Sequence, residues 1–484
     1  MTVPVPPAFA RIADLRILIE ADATARYEKP ERGPAGHAAG VLVVQSEAAV
    51  GEVLKAASAI GAALVVSAGR TGLVEAQRPE GEWVLSLEKL NRILSIDSAQ
   101  RTAMVEAGVT VDALNEALAP HGLVWPMEMG STSACTVGAC IANGSAGANA
   151  VCYGTAAQLC GTAWGFWANG NAAGPCAGPA WAAPDVTVTA IDSAAPNPAL
   201  GLIGTQGVLG LITRAQLRLH TLPAQREAAL LPVTDMPAAM RVLAQARSVF
   251  GNDVEEFEFI SRAALRLVRE AKGANFRLPY PAEVDAPFHM LLQIRSSKPA
   301  EEDDLAARLY GFLTDTLQLP DEQLGYAPLK ALKEIRHSIS ESSNHAMKRL
   351  GGGRLAFDTA TPVARFGDYL AALEAALTAQ FPGVLLVAFG HAGVGGAHLH
   401  LLGTAAAPVS ARAEALIKLV FDVTAQYGGT FSAEHGVGTK WGAAFAERAA
   451  PAVVAALVAA KRDRDPACVL NPRSFGLDQL IQRQ

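Results

Sequence analysis

Ala63-Leu64-Val65-Val66-Ser67-Ala68-Gly69-Arg70-Thr71-Gly72 decides the reading of this chain. Its apolar, partly β-branched start makes a buried strand, and the strand empties into a turn rich in glycine and hydroxyl groups. Such a turn aims several backbone N–H groups at one concave point, an arrangement that holds an anion, typically a phosphate. The same glycines would serve a tight surface turn, so the context decides.

That context is a succession of strands, helices and further loops of the same kind. Val41-Leu42-Val43-Val44 reads as a buried strand and Glu47 to Ile60 as a helix. After the strand Trp83-Val84-Leu85-Ser86-Leu87 come Val105-Glu106-Ala107-Gly108-Val109, a helix from Val111 to Leu118, and the loop 130–139, which leads into 143–147 and Tyr153-Gly154-Thr155. Ile203-Gly204-Thr205-Gln206-Gly207-Val208-Leu209-Gly210-Leu211-Ile212-Thr213 closes the series. Three such loops between strands suit a long dinucleotide, whose phosphates, ribityl chain and ring edge need close main-chain donors. The Gly-x-Gly-x-x-Gly of a nicotinamide-binding unit is absent, which points to a flavin.

A second constellation lies near the C-terminus. Gly390-His391-Ala392-Gly393-Val394-Gly395-Gly396-Ala397-His398-Leu399-His400 is followed by Ser432-Ala433-Glu434-His435-Gly436, so four of the ten histidines gather here. The apolar run 384–389, the glycine turn 393–396 and the alternating 397–402 predict a hairpin. A four-residue loop pairs Ala392 with Ala397 and sets His391 opposite His398, with Cβ atoms roughly 4.5–5.5 Å apart. His400 shares the face of His398. Two imidazoles with Glu434 as a harder third ligand make an open divalent-metal site. The plainer alternative is that these histidines cap strand ends.

Composition narrows the class. At 484 residues the chain exceeds one compact core and implies two or three domains. With 18% charged residues, a net charge of −6 and no long run of like charge, nucleic acid is not the expected partner. The N-terminus Met1-Thr2-Val3-Pro4-Val5-Pro6-Pro7 shows no secretory signal, and the apolar run 449–460 contains Pro451 and is too short for a membrane span. A soluble cytoplasmic protein is expected. Five of the six cysteines, at 135, 140, 152, 160 and 176, match no zinc or iron–sulfur spacing and read as small buried side chains in a reduced state.

The order of these pieces resembles the vanillyl-alcohol-oxidase-type FAD enzymes, and within them the D-2-hydroxyacid dehydrogenase branch with D-lactate and D-2-hydroxyglutarate dehydrogenases and the glycolate oxidase flavin subunit. The resemblance covers nearly the whole chain. Its most specific parts are Gly-Val-Leu-Gly-Leu-Ile-Thr at 207–213, the His391/His398 segment, Ala-Glu-His-Gly at 433–436, and Asp465-Pro466 through Leu470-Asn471-Pro472. It implies an α+β fold: a two-part FAD-binding domain, residues 1–222, a substrate (cap) domain over 223–430 on an antiparallel sheet flanked by helices, and a C-terminal part, 431–484, that completes the flavin and metal site. Strands such as Met290 to Arg295 and helices such as 300–316 belong to the cap.

By the same resemblance, Ala68, Gly69, Arg70, Thr71 and Gly72 hold the FAD pyrophosphate. Gly130, Ser131, Thr136, Gly138, Asn143, Gly147, Tyr153, Gly154, Gly207, Leu209, Gly210 and Ile212 line the rest of the cofactor, with Asn471 beside the flavin. No histidine occurs at 67–73 for covalent attachment, so dissociable FAD is expected. The resemblance further implies a metal, most often zinc, on His391, His398 and Glu434, with His435 as base. Arg336 grips the substrate carboxylate, a task that suits its guanidinium fork, and His400 assists. The residue-level alternative for Arg336 is a solvated position on a helix surface.

Several positions depart from the family pattern. Val394-Gly395-Gly396 replaces Asp-Gly-Asn, His400 replaces an asparagine, Ala356 replaces a lysine with Arg354 nearby, and Ala139 replaces a glycine; no acidic-Gly turn is evident at 164–178. The expected chemistry is oxidation of a D-2-hydroxy acid to a 2-oxo acid: Lewis-acid activation of the hydroxyl, proton removal by His435, and hydride transfer to FAD. The sequence offers no iron–sulfur or haem motif for reoxidation. An external acceptor (an electron-transfer flavoprotein, a quinone, a cytochrome or oxygen) is therefore the expected partner, alongside the small acid and a homodimeric assembly. Two other readings stand: a metal-independent flavin oxidase acting on an alcohol, sugar or amine, and a non-catalytic electron-relay flavoprotein, suggested by Val394, Gly396 and Ala356.

Overall fold

The computed structural model describes residues 4–180, 191–273, 276–281, 284–320 and 323–482. Met1, Thr2 and Val3, where the N-terminal reading began, lie outside the described residues.

The strand that carries the glycine turn runs Leu64–Ser67 and sits at one side of a four-stranded sheet, parallel to Trp83–Ser86. Gly40–Val44 joins on the other side of Trp83–Ser86, also parallel, and Leu15–Leu18 adds an antiparallel edge. Burial on both faces explains the continuous apolar run at Val41 to Val44. The helix Glu47–Ile60 starts where expected because the Ser46 hydroxyl accepts from the Ala49 N–H at 3.3 Å, and it ends where Gly61 adopts a left-handed conformation. Val50, Val53, Leu54 and Ala57 on its inner face are fully buried.

A five-stranded antiparallel sheet follows, ordered Ile93–Asp97, Thr102–Glu106, Gly210–Arg218, Cys160–Trp167, Ala172–Ala177. Gly51 lets the helix lie directly on it, since a Cβ there would meet the Phe166 ring at 2.6 Å. The third layer is a seven-stranded antiparallel sheet, ordered Gly325–Tyr326, Gln225–Val233, Phe288–Ser296, Val254–Ser261, Leu385–Gly390, Gly396–Thr404, Gly351–Ala360. Its central strands bury phenylalanines and leucines such as Phe257, Phe259, Leu292 and Leu399 against flanking helices. The C-terminal tail returns to the first sheet, where Leu470 bridges Leu64 in parallel.

Three local readings are corrected. The expected helix over 300–316 begins only at Leu305, where Asp304 caps the N-terminus by accepting from Ala307 at 2.9 Å. Residues 137–139 are not loop: they open the helix Val137–Asn143. The hairpin exists, but its register differs. Phe389, not His391, lies opposite His398, and Val387 lies opposite His400. The strand stops at Gly390, and a turn over Ala392–Val394, closed by the Gly396 N–H to the His391 carbonyl at 3.1 Å, makes the loop longer than four residues.

Candidate functional site

A cleft of about 840 Å³ opens between the glycine turn and the seven-stranded sheet, within the range of about 300–1,000 Å³ typical of cofactor sites. At one end, the backbone N–H groups of Gly69, Arg70, Thr71 and Gly72 have no acceptor among the described residues. Arg70 takes a positive φ of 59° to complete the turn. Gly69 has a second role: a Cβ there would stand 2.1 Å from the Ala134 carbonyl oxygen, so the two loops touch through backbone. The Thr136 hydroxyl, also on the cleft wall, is buried without a partner. Unused donors on a concave wall are what a dinucleotide requires, so the residues present fit FAD.

Gly130, Ser131, Gly138, Asn143, Gly147, Gly207, Gly210, Ile212 and Asn471 line the same cleft, together with Ala68. Asn471 sits there at φ 43°, yet its amide is occupied: Oδ1 accepts from Val66 at 3.0 Å and Nδ2 donates to the Gly207 carbonyl at 2.9 Å. It ties the strand end to the 207 loop. Three of the expected cofactor residues are elsewhere. Tyr153 is buried with its hydroxyl on Glu255 at 3.1 Å and its ring edge-on to His220, and Gly154 follows it away from the cleft. Leu209 is buried in the core cluster of the seven-stranded sheet.

The histidines meet in spite of the altered register. His391 Nε2 lies 3.3 Å from His398 Nε2 and 3.4 Å from Glu434 Oε1. Donors at about 2.0–2.1 Å from a tetrahedral zinc stand about 3.3 Å apart, so the spacing fits such an ion. Glu434 Oε1 is buried and has no hydrogen-bond partner, a state compatible with a cation at this point. Glu258 bonds His391 Nδ1, whereas Asp358 Oδ1 lies 3.8 Å from His398 Nδ1, beyond hydrogen-bond reach. The Glu258 contact occupies His391 Nδ1 and leaves Nε2 facing His398 and Glu434. Asp358, His398 and His435 form a second grouping with ligand spacing, but Asp358 Oδ2 is already taken by the Glu434 and His435 backbone N–H groups, both at 2.7 Å.

Electrostatics follow from these contacts. Burial would raise the Glu258 carboxyl, but His391 and Arg336 outweigh it and hold it down at about 2. Burial likewise opposes charge on His391, yet Glu258 and Glu434 lift it to about 10, so this pocket of carboxylates calls for a positive charge. His398 and His400 are pushed well below their ordinary value, by burial first and then by neighbouring cations.

Arg336 is not a solvated helix-surface residue. It lies on Leu329–His337, lines the cleft, stacks 4.7 Å from the Phe389 ring centroid, and donates Nε to Glu258 at 2.5 Å. His435 stacks on His398 with ring centroids 5.3 Å apart, its Nδ1 at 3.6 Å from Asp358 Oδ2. His400 is 3% exposed and its Nδ1 has no partner. Sequence reasoning missed Glu258, which joins Arg336 to His391, and Lys333, which ion-pairs with Glu128 and with Glu256 at 2.8 Å. All six cysteines are free thiols, five of them buried.

A phosphate-type nest, a long cleft and a mixed α/β frame define a flavin dinucleotide enzyme. Residues 38–163 match the FAD binding domain family, and residues 222–475 match the family described as FAD linked oxidases, C-terminal domain. The chain belongs to this family, is an FAD-dependent oxidoreductase, and has the vanillyl-alcohol-oxidase-type fold. It is 27% identical over 470 residues, 94% of this chain and 95% of the relative, to a D-2-hydroxyglutarate dehydrogenase of Stutzerimonas stutzeri (strain A1501). It is 29% identical over 439 residues, 87% of this chain and 85% of the relative, to a D-2-hydroxyglutarate dehydrogenase of Xanthomonas citri pv. viticola. Among solved structures, p-cresol methylhydroxylase aligns with a TM-score of 0.67 at 17% identity, covering 96% of this chain and 94% of that one, a likeness of fold. Among the described residues no helix is long and apolar enough to cross a membrane.

Proposed function

We propose that this chain oxidises a D-2-hydroxy acid to the 2-oxo acid, with a divalent metal, zinc by preference, on His391, His398 and Glu434. The observation that carries the reading is the three-donor cluster with its unpartnered Glu434 oxygen, in the same cleft as Arg336, His435 and the anion nest. Two relatives named D-2-hydroxyglutarate dehydrogenase support the reaction class. When bound, FAD accepts the Cα hydrogen as hydride and the metal supplies Lewis acidity at the substrate hydroxyl.

The chain's own residues do the rest. His435, whose backbone N–H donates to Asp358 Oδ2 at 2.7 Å, takes the hydroxyl proton. Arg336 is held through Nε, so its remaining N–H groups are left for the substrate carboxylate. His400, kept neutral, offers a hydrogen bond beside it. Asp358 clamps the backbone of Glu434 and His435 and so fixes ligand and base relative to each other. Residues 1–222 with 431–484 hold the cofactor and 223–430 cover it; an external acceptor reoxidises the flavin.

The test is anaerobic mixing of the flavin-loaded protein with a panel of D-2-hydroxy acids. Bleaching of the flavin by at least one of them, lost in His435→Ala with FAD still bound, supports the assignment. Undiminished bleaching in His435→Ala removes that residue from the base role.

A further inference from the structure

The chemistry so far uses none of the six cysteines. Cys135 and Cys140 line the cofactor cleft, whereas Cys152, Cys160, Cys176 and Cys468 do not. The start of a helix makes the first two neighbours. Thr136 is the N-cap of Val137–Asn143, so Cys135 stands just before the cap and Cys140 is the fourth helical residue. Side chains at these two positions pack on each other and fix how a chain enters its helix. Here both lie in one buried cluster, 4% and 3% exposed, and their thiols share a hydrogen bond. That contact makes the sulfurs unequal. The hydrogen bond from Cys140, helped by Ser131 against burial, holds Cys135 below the ordinary thiol value, while the same contact and burial push Cys140 well above it. An easily ionised thiol beside a protonated one is the arrangement of an attacking and a resolving cysteine. Away from the cleft, burial alone raises Cys152 to about 11 and Cys160 to about 12, which makes both inert.

The backbone around the pair is part of the cofactor cradle. The Cys135 N–H donates to the Ser131 carbonyl at 2.8 Å, and the Cys140 carbonyl accepts from the Ser145 N–H at 2.9 Å; both serines line the cleft. Gly69 of the anion nest packs directly on this loop, since a Cβ there would stand 2.9 Å from Cys135 Cα. Any displacement of Cys135 is therefore passed to the nest. A disulfide needs its sulfurs about 2.05 Å apart, closer than two hydrogen-bonded thiols stand. Forming one draws Cys135 toward the helix and shifts it relative to the Gly69 backbone.

We propose that Cys135 and Cys140 are a redox-active pair: hydrogen peroxide joins them in a disulfide when the cleft is empty, and the disulfide weakens FAD binding until a dithiol reduces it. The Cys135 thiolate attacks one peroxide oxygen, the O–O bond breaks, and the departing hydroxide takes up the proton that the thiol gave away. Cys140 then attacks the sulfenic sulfur. The S–O bond breaks, the S–S bond forms, and a second water leaves with the Cys140 proton. Two thiols lose two electrons and two protons, and one peroxide becomes two waters. FAD in the cleft shields both sulfurs, so the pair reports whether the cofactor is present. The proposal is independent of which substrate the flavin oxidises.

The experiment treats the full-length protein with hydrogen peroxide, with and without FAD, and counts thiols after denaturation. The reduced protein shows six thiols. Without FAD, peroxide leaves four, six less the pair, and differential alkylation maps the loss to Cys135 and Cys140. With FAD bound the loss is at least about tenfold slower, because access governs thiol oxidation. The Kd for FAD of the oxidised protein is at least about threefold higher than that of the reduced protein, and dithiothreitol restores it. Cys140→Ser stops at a sulfenic acid on Cys135 that dimedone traps, and Cys135→Ser keeps its remaining thiols and its FAD affinity through the treatment. Six thiols after peroxide, a loss at other cysteines, equal rates with and without FAD, or the same FAD Kd in both redox forms overturns the proposal. Wild-type oxidation carries the test even if a variant fails to fold.

Discussion

Replacing Glu258 with glutamine isolates the contact on which the metal site depends. The side chain is 1% exposed, and its two oxygens accept from Arg336 Nε and His391 Nδ1. Glutamine has the same shape but only one acceptor, so its NH2 must face one of the two donors. If it faces His391, the imidazole moves its proton to Nε2, the atom that points at His398 and Glu434, and that atom can no longer bind a cation. Losing one charge-assisted hydrogen bond costs about 1.5–3 kcal/mol, which converts to about 10- to 150-fold in an equilibrium constant. Loss of an outer partner of a metal histidine typically costs about 10- to 100-fold in metal affinity, so the two routes agree. The assay is zinc competition against a chromogenic chelator, with circular dichroism and FAD content confirming that the variant folds. Zinc affinity within threefold of wild type refutes the argument, because Glu258 then does not control the His391 tautomer.

The remaining predictions concern other parts of the cleft. Gly69→Val weakens FAD binding at least about tenfold, since its Cβ meets the Ala134 backbone, whereas Gly72→Ala meets only the side-chain amide of Gln77 and has a smaller effect; flavin titration of the two apoproteins checks the order. Asn471→Ala releases both Val66 and Gly207 and lowers FAD affinity by about 1–3 kcal/mol, read by the same titration.

How far the sequence reveals the site depends on which interactions are local. The helices Glu47–Ile60 and Val111–Leu118 follow from their periodicity and from caps at Ser46 and Thr110. The glycine turn is visible because the nest is built from consecutive residues. The hairpin is visible too, but its register is not, because Gly390 at φ 145° and the turn over Ala392–Val394 set it through backbone bonds that composition does not encode. Tyr153 and Leu209 lie beside cleft residues in the chain but turn into the core, a choice made by layers packed from distant segments. Glu258 left a trace that goes unused: Val254-Glu255-Glu256-Phe257-Glu258-Phe259 places three acids in an otherwise apolar strand. Buried carboxylates require partners, and here Arg226, Lys333 and Arg336 supply them.

The most direct measurement is anaerobic stopped-flow absorbance of the flavin when the protein meets a D-2-hydroxy acid, with the metal present, stripped by chelator, and restored. The account predicts fast bleaching, its loss on stripping with FAD retained, and recovery with zinc. Equal bleaching rates with and without metal contradict it.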